Sequence, residues 1–186
     1  MLRAEPSKLA QIFTVGHSNR SFDEFRLLLK EYEIKVVADV RRYPSSRKFP
    51  HFNGEALREL LNAQRIQYVW FEALGGRRHA ATGKDSPNMG LVSLGFRNYA
   101  DYMMSQDFQA TVKGLISLGS RLSTAIMCAE RFFWKCHRRL LSDFLVTRGV
   151  AVAHILGGGD LRPHVLTSGA TITDGGIPIY PKPDYS

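Results

Sequence analysis

Residues 124–156 read TAIMCAERFFWKCHRRLLSDFLVTRGVAVAHIL, and the order of patterns within them sets the architecture. Thr124 to Cys128 is a short apolar run that reads as a strand. A helix begins near His137 and closes at Arg148-Gly149, a basic last turn followed by a C-cap glycine. Ala151 to Leu156 is a second strand. Strand, helix and strand in succession make a βαβ unit, which calls for parallel pairing.

The same alternation runs through the preceding chain. Ile12 to Val15 reads as a strand ending at Gly16-His17-Ser18. Ser21 then caps a helix through a capping box with Glu24, and Phe22, Phe25, Leu28 and Leu29 form its apolar stripe. Lys35 to Val40 is a second strand. Asn53 caps a helix that turns Leu57, Leu60 and Leu61 inward, and Gln67 to Phe71 is a third strand. Gly75 to Leu94 has no clear period and reads as a long loop. Helical patterns return at Phe96 to Met104 and Phe108 to Leu118. The Gly- and Pro-rich tail, 157–186, is expected to be irregular. The expected fold is therefore α/β: a mainly parallel sheet with helices on both faces, Rossmann-like and three-layered, in one domain (1–186) with its core at about 12–156.

Hydrophobic residues make up 44% and charged residues 23% of the 186 positions, a globular rather than a disordered balance. No apolar run approaches the roughly 20 residues of a membrane span. Residues 1–11 lack the apolar core of a secretory signal, so a cytoplasmic location is expected. Lys and Arg total 25 against 17 Asp and Glu, a formal charge of +8, which favours acidic partners. The expected partner is a phosphate-containing small molecule or nucleic acid, with no membrane role and an open oligomeric state. Two cysteines in such a protein point to a thiol or metal role rather than a structural disulfide.

In open α/β sheets ligands bind beyond the carboxyl ends of the strands, and every strand here is followed by polar residues. His17, Ser18, Asn19 and Arg20 follow the first. Asp39, Arg41 and Arg42, with Pro44, Ser46, Arg47 and Lys48, follow the second. Arg77, Arg78 and His79 follow the third. Cys128, Glu130 and Arg131, then Cys136, His137 and Arg138, follow the fourth.

The segments TVGHSNRSFDEF, VADVRRYPSSRKFPHFN and CAERFFWKCHRRLLSDFLVTRGVAVAHI resemble the domain of unknown function family DUF488. The resemblance runs from about Ile12 to Ile155. It rests on a glycine-histidine-serine turn, a D-V-R segment with a following P-x-S-R, and a C-A-E then C-H-R signature. It implies that His17, Ser18, Asp39, Arg41, Pro44, Ser46, Arg47, Cys128, Glu130, Cys136, His137 and Arg138 are motif positions. It names no reaction.

Cys136 and His137 fall at a helix start, where free backbone N–H groups favour negative charge, beside Lys135 and Arg138. A thiol there gains thiolate character. Three readings stand. Cys136 is a nucleophile with His137 or His17 as base. Alternatively, Cys128, Cys136, His137 and His17 ligate a metal, although seven residues between cysteines fit none of the common zinc spacings. In the third reading both thiols simply pack. Asp39 and Glu130 act as acid, base or orienting groups, or else pair with Arg41 or Arg138. Ser18, Arg41, Ser46, Arg47, Arg131 and Arg138 are expected to hold an anion. No Walker loop and no G-x-G-x-x-G is present, so dinucleotide binding has no support. The reading is an anion-binding protein, a hydrolase or group-transfer enzyme, or else a non-catalytic nucleic-acid or nucleotide module. For the latter, Phe132, Phe133 and Trp134 between basic residues supply stacking surfaces.

Overall fold

Each short apolar run finds a neighbour of its own kind, because both faces of these strands must be covered. The computed structural model describes residues 11–79 and 86–183. The expectations for residues 1–10, for 80–85 of the long loop and for 184–186 of the tail lie outside the described residues. β1 (Gln11–Gly16), β2 (Val36–Asp39), β3 (Gln67–Trp70), β4 (Thr124–Cys128) and β5 (Ala151–Gly157) pair in parallel, and β6 (Asp160–Pro163) adds antiparallel to β5. The order across the sheet is β3-β2-β4-β1-β5-β6.

The sheet separates two cores. On one face α1 (Phe22–Glu31) and α2 (Gly54–Ala63) bury Phe25, Leu28, Leu29, Leu57 and Leu61 against Val15, Val37 and Met127. On the other lie α3 (Leu94–Met103), α4 (Gln106–Gly119) and α5 (Arg138–Thr147), whose Tyr99, Phe108, Leu115, Leu141 and Phe144 cover Ile12, Ala38 and Ile126. This is the three-layer α/β arrangement that the alternation predicts. The capping box of Ser21 and Glu24 is present on α1. Asn53 occupies the N-cap of α2 without capping it; its Oδ1 accepts instead from the Ser46 backbone N–H at 2.6 Å.

The tail departs from expectation. Instead of irregular chain, residues 157–160 make a tight hairpin whose Gly158-Gly159 pair joins β5 to β6, with Gly159 at φ +69°. Such a two-residue loop favours residues free to take positive φ, and glycine supplies that freedom. A second hairpin pairs β7 (Thr171–Ile172) with β8 (Pro178–Ile179). The tail is tied to the body by polar anchors. Asp143 of α5 accepts from the Thr167 backbone at 2.9 Å and from the Tyr180 hydroxyl at 2.7 Å, and Tyr180 is buried. Among the described residues no helix is long and apolar enough to cross a membrane.

Candidate functional site

The strand order places β2, β4 and β1 side by side, so residues far apart in sequence leave the sheet at one rim. The backbone N–H of His17 donates to the carbonyl of Cys128 at 2.9 Å, and that of Val40 to Met127 at 3.0 Å. The turn after β1 is closely packed. A Cβ on Gly16 would sit 1.8 Å from the carbonyl oxygen of Glu130, so only glycine fits. Ser18 takes the left-handed conformation, φ 54°, which is uncommon for a residue with a side chain.

The two thiols meet at the floor of this rim. Cys128 Sγ lies 2.8 Å from Cys136 Sγ, and both residues are buried. His137 sits with Nε2 3.0 Å from the carbonyl oxygen of Val40. That nitrogen must donate, which leaves Nδ1 as the acceptor facing Cys136 Sγ at 3.5 Å. The Arg138 backbone N–H also points to Cys136 Sγ at 3.5 Å. The Arg138 side chain, 1% exposed, runs beneath the pair. Its Nε donates to Cys128 Sγ at 3.0 Å, and its remaining donors reach the carbonyls of Glu130 and Arg131 and the hydroxyl of Thr14. Among the described residues no carboxylate pairs with this guanidinium. A buried cation without a carboxylate favours negative charge on whatever it touches, and here it touches sulfur. Burial opposes ionisation of Cys136, but the Cys128 thiol, His137 and Arg138 together outweigh it and hold its pKa well below the ordinary thiol value. Burial and the neighbouring Cys136 drive Cys128 the other way. Arg138 touches Cys128 most closely, yet it is Cys136 whose pKa is lowered, because that sulfur has the Cys128 thiol, the base His137 and the Arg138 backbone N–H around it.

Beside the thiols lies a second polar group. Asp39 holds Arg41 through Nε at 2.9 Å and Nη2 at 2.5 Å, and accepts from the Tyr68 hydroxyl at 2.7 Å. Arg41 Nη1 donates to the carbonyl of Phe52 at 2.8 Å and reaches His17 Nε2 at 3.4 Å. The other ring nitrogen of His17 lies 2.9 Å from the Ser18 carbonyl. His17 stacks on Phe52 at 4.2 Å between ring centroids. Burial and Arg41 lower its pKa to about 4, so it is neutral at pH 7.

A family model described as "Domain of unknown function DUF488" matches residues 21–145, which covers more than half of the chain and includes Asp39, Arg41, both cysteines, His137 and Arg138. The chain belongs to the DUF488 family. Comparison with curated proteins and with solved structures gave no match. The matched segment begins after His17 and ends before β5, so the β1 turn, the β5–β6 hairpin and the tail lie outside it.

In this DUF488 chain an open cleft of about 530 Å³ lies over the strand ends, with His17, Arg41, Ser46, Cys128, Glu130, Cys136 and His137 in its lining. Arg42, Arg77 and Lys135 also line it, as do Tyr43, Gly76 and Phe96. Arg77 and Lys135 are exposed and, among the described residues, make no ion pair, while Arg42 pairs with Glu72 at 3.0 Å. Ser18, Arg47, Arg131 and Arg138 do not line the cleft. The Arg41 guanidinium, at the cleft wall, is bound to Asp39 and the Phe52 carbonyl, and that of Arg138 lies beneath the thiols, bound to Cys128 and the Glu130 carbonyl. Arg131 lies over the Phe132 ring at 5.6 Å, outside the cleft. Among the described residues no group of three His, Cys, Asp or Glu is disposed to hold an ion. The cysteine sulfurs touch each other, and His17 turns Nε2 to Arg41. Gly76, which follows the third strand, has a role that the sequence does not announce. A Cβ there would come within 2.4 Å of His137 Nδ1, so the loop can cross the ring only as glycine.

Proposed function

We infer that this DUF488 protein is a thiol-dependent enzyme, a hydrolase or group-transfer catalyst, that takes a small phosphate- or nucleotide-containing substrate into the cleft at the strand ends. The observation that carries this reading is the Cys136–His137 pair, with its tautomer set by Val40, opening into a cleft whose lining includes Arg77 and Lys135, two cations that make no ion pair among the described residues. In this reading His137 Nδ1 takes the thiol proton and keeps its Nε2–H on the Val40 carbonyl, so both nitrogens of the resulting imidazolium are satisfied. The Cys136 thiolate then attacks the electrophilic centre of a substrate whose anionic oxygens lie between Arg77 and Lys135. In the same reading Glu130, exposed at the rim, exchanges a proton with a leaving group or an incoming water. Asp39 acts at one remove: it fixes Arg41, and Arg41 fixes the His17 ring that walls the cleft.

The test is a screen of phosphate esters and nucleotides for turnover, paired with calorimetric binding of inorganic phosphate and pyrophosphate. Wild-type turnover lost in Cys136→Ser, with binding retained, is the expected outcome. Binding should weaken in Arg77→Ala and Lys135→Ala. Binding unchanged by either cation variant, or turnover unchanged in Cys136→Ser, removes the reading.

A second reading, a nucleic-acid module, is favoured by one observation. Trp134 stacks on Phe132 with centroids 4.7 Å apart and remains 38% exposed at the edge of the basic rim. Affinity for single-stranded nucleic acid that falls steeply with salt and drops in Trp134→Ala supports it. Negligible affinity at low salt eliminates it.

A further inference from the structure

Two cysteines are all that this chain of 186 residues contains, and the fold brings both to one point from opposite ends of a seven-residue connection. Cys128 ends the central strand β4, and Cys136 follows a short 3₁₀ turn, Phe133–Lys135, in an extended conformation. Their sulfurs already lie 2.8 Å apart. A covalent S–S bond of about 2.05 Å requires a further approach of about 0.8 Å. Both residues, though buried, line the floor of the open cleft, which is the side from which a small oxidant would approach.

We propose that Cys128 and Cys136 form a peroxide-sensitive dithiol couple, in which Cys136 is the attacking sulfur and Cys128 the resolving one, with small hydroperoxides as the oxidant. Cys136 has the base His137 at 3.5 Å, whereas Cys128 has the Arg138 Nε–H at 3.0 Å. The two sulfurs are thus given different partners, one that accepts a proton and one that supports negative charge on sulfur.

The chemistry balances. His137 takes the Cys136 proton, and the thiolate attacks the outer oxygen of ROOH. An S–O bond forms as the O–O bond breaks; Cys136 becomes a sulfenic acid, and the departing alkoxide takes the proton from His137 as ROH. Cys128 then attacks Cys136 Sγ. The S–S bond forms as the S–O bond breaks, and the hydroxide leaves with the Cys128 proton as water. The hydroperoxide is reduced by two electrons and the dithiol oxidised by two. A small dithiol reverses the change by exchange and is itself oxidised to a disulfide. Closure of the couple removes the thiolate from the cleft, and that consequence alone rests on the function proposed above.

The experiment exposes reduced protein to hydrogen peroxide, quenches it in acid, and counts thiols after denaturation alongside intact mass. Two thiols should fall to none and the mass should drop by about 2 Da, with dithiothreitol restoring both values. Arg131 and Lys135 lie between the cysteines, so trypsin releases two separate peptides, which should remain linked only in the oxidised sample. In Cys128→Ser, peroxide should leave Cys136 as a dimedone-reactive sulfenic acid that advances to the irreversible acids several-fold faster than in wild type. Two thiols surviving peroxide would overturn the proposal. So would a gain of about 32 or 48 Da with Cys128 still free, or a disulfide between molecules instead of within one. None of these readouts involves a phosphate substrate, so they stand or fall apart from the enzyme reading.

Discussion

At position 76 any side chain would begin 2.4 Å from the acceptor nitrogen of His137, and that contact bears directly on the reactivity of Cys136. Gly76→Ala must push the ring off its Val40 anchor and away from the sulfur. Iodoacetamide labelling of Cys136 as a function of pH reads this out without a substrate. The wild-type profile should rise well below the range of an ordinary thiol, and both Gly76→Ala and His137→Gln should move it upward, slowing labelling at pH 7 by roughly ten-fold or more. A profile that does not move in either variant would mean that His137 does not act on the thiol. The adjacency of Cys136 and His137 was legible in the sequence, as was the anion-favouring helix start. What could not be read was which arginines bind internal partners. Asp39 and Arg41 are two apart and share a face at a strand end, so the ion pair was available as an alternative. Nothing local, however, announces that Arg138 turns inward beneath two sulfurs while Arg77 stays exposed. That choice depends on where β1 and the 129–131 carbonyls lie, which is tertiary information.

The tail elements, β6 to β8, join the body through a buried polar chain whose directions follow from proton counting. Burial, with His164 and Arg138, lowers the pKa of His154 to about 3, so it is neutral. Thr14 Oγ1 lies 2.7 Å from its Nδ1, and its Nε2 lies 2.9 Å from His164 Nδ1. His164 Nε2 is 2.8 Å from Asp143. One consistent assignment runs as donors from Arg138 through Thr14, His154 and His164 to Asp143, a cation at one end and a carboxylate at the other. Removing the hydroxyl at the far end should cost what a hydrogen bond to a buried charged group is worth. Tyr180→Phe is therefore expected to destabilise by about 2 kcal/mol in urea unfolding, and Asp143→Ala by more than 3 kcal/mol, approximately, since it strips three donors at once. Equal stability of Tyr180→Phe and wild type would show that the tail is merely draped over α5. The alternating strands and helices of the body were legible because the apolar period is regular there and, on α1, the capping box agrees with it. The tail was not, although Gly158-Gly159 between two pairing segments is a hairpin signal; the surrounding Gly and Pro content masked it.

For the molecule as a whole, the buried histidines set a pH response. His17 and His154 have folded pKa values of about 4 and about 3, against 6.5 when unperturbed. Between pH 6.5 and about 3 the unfolded chain therefore binds more protons than the folded one, and stability falls as the pH falls through that window. His17 alone contributes a loss of about 3 kcal/mol by its lower end. Thermal unfolding followed from pH 7 to pH 4 should show this decline, and His17→Gln should flatten part of it; an identical slope in that variant would assign the acid sensitivity elsewhere. The net charge of +8 acts in the same direction, because protonated carboxylates leave the cations unopposed.

The position of β4 has a consequence for how the protein is made. β1 and β2 are never hydrogen-bonded to each other; β4 stands between them. A nascent chain that has emerged only as far as α4 holds two sheet fragments with an empty slot where residues 124–128 belong. The centre of the sheet and Cys128 arrive in the same short segment, so continuity of the fold and assembly of the thiol pair are acquired in close succession during synthesis. A chain stopped at residue 120 should consequently remain protease-sensitive despite containing four of the five body helices.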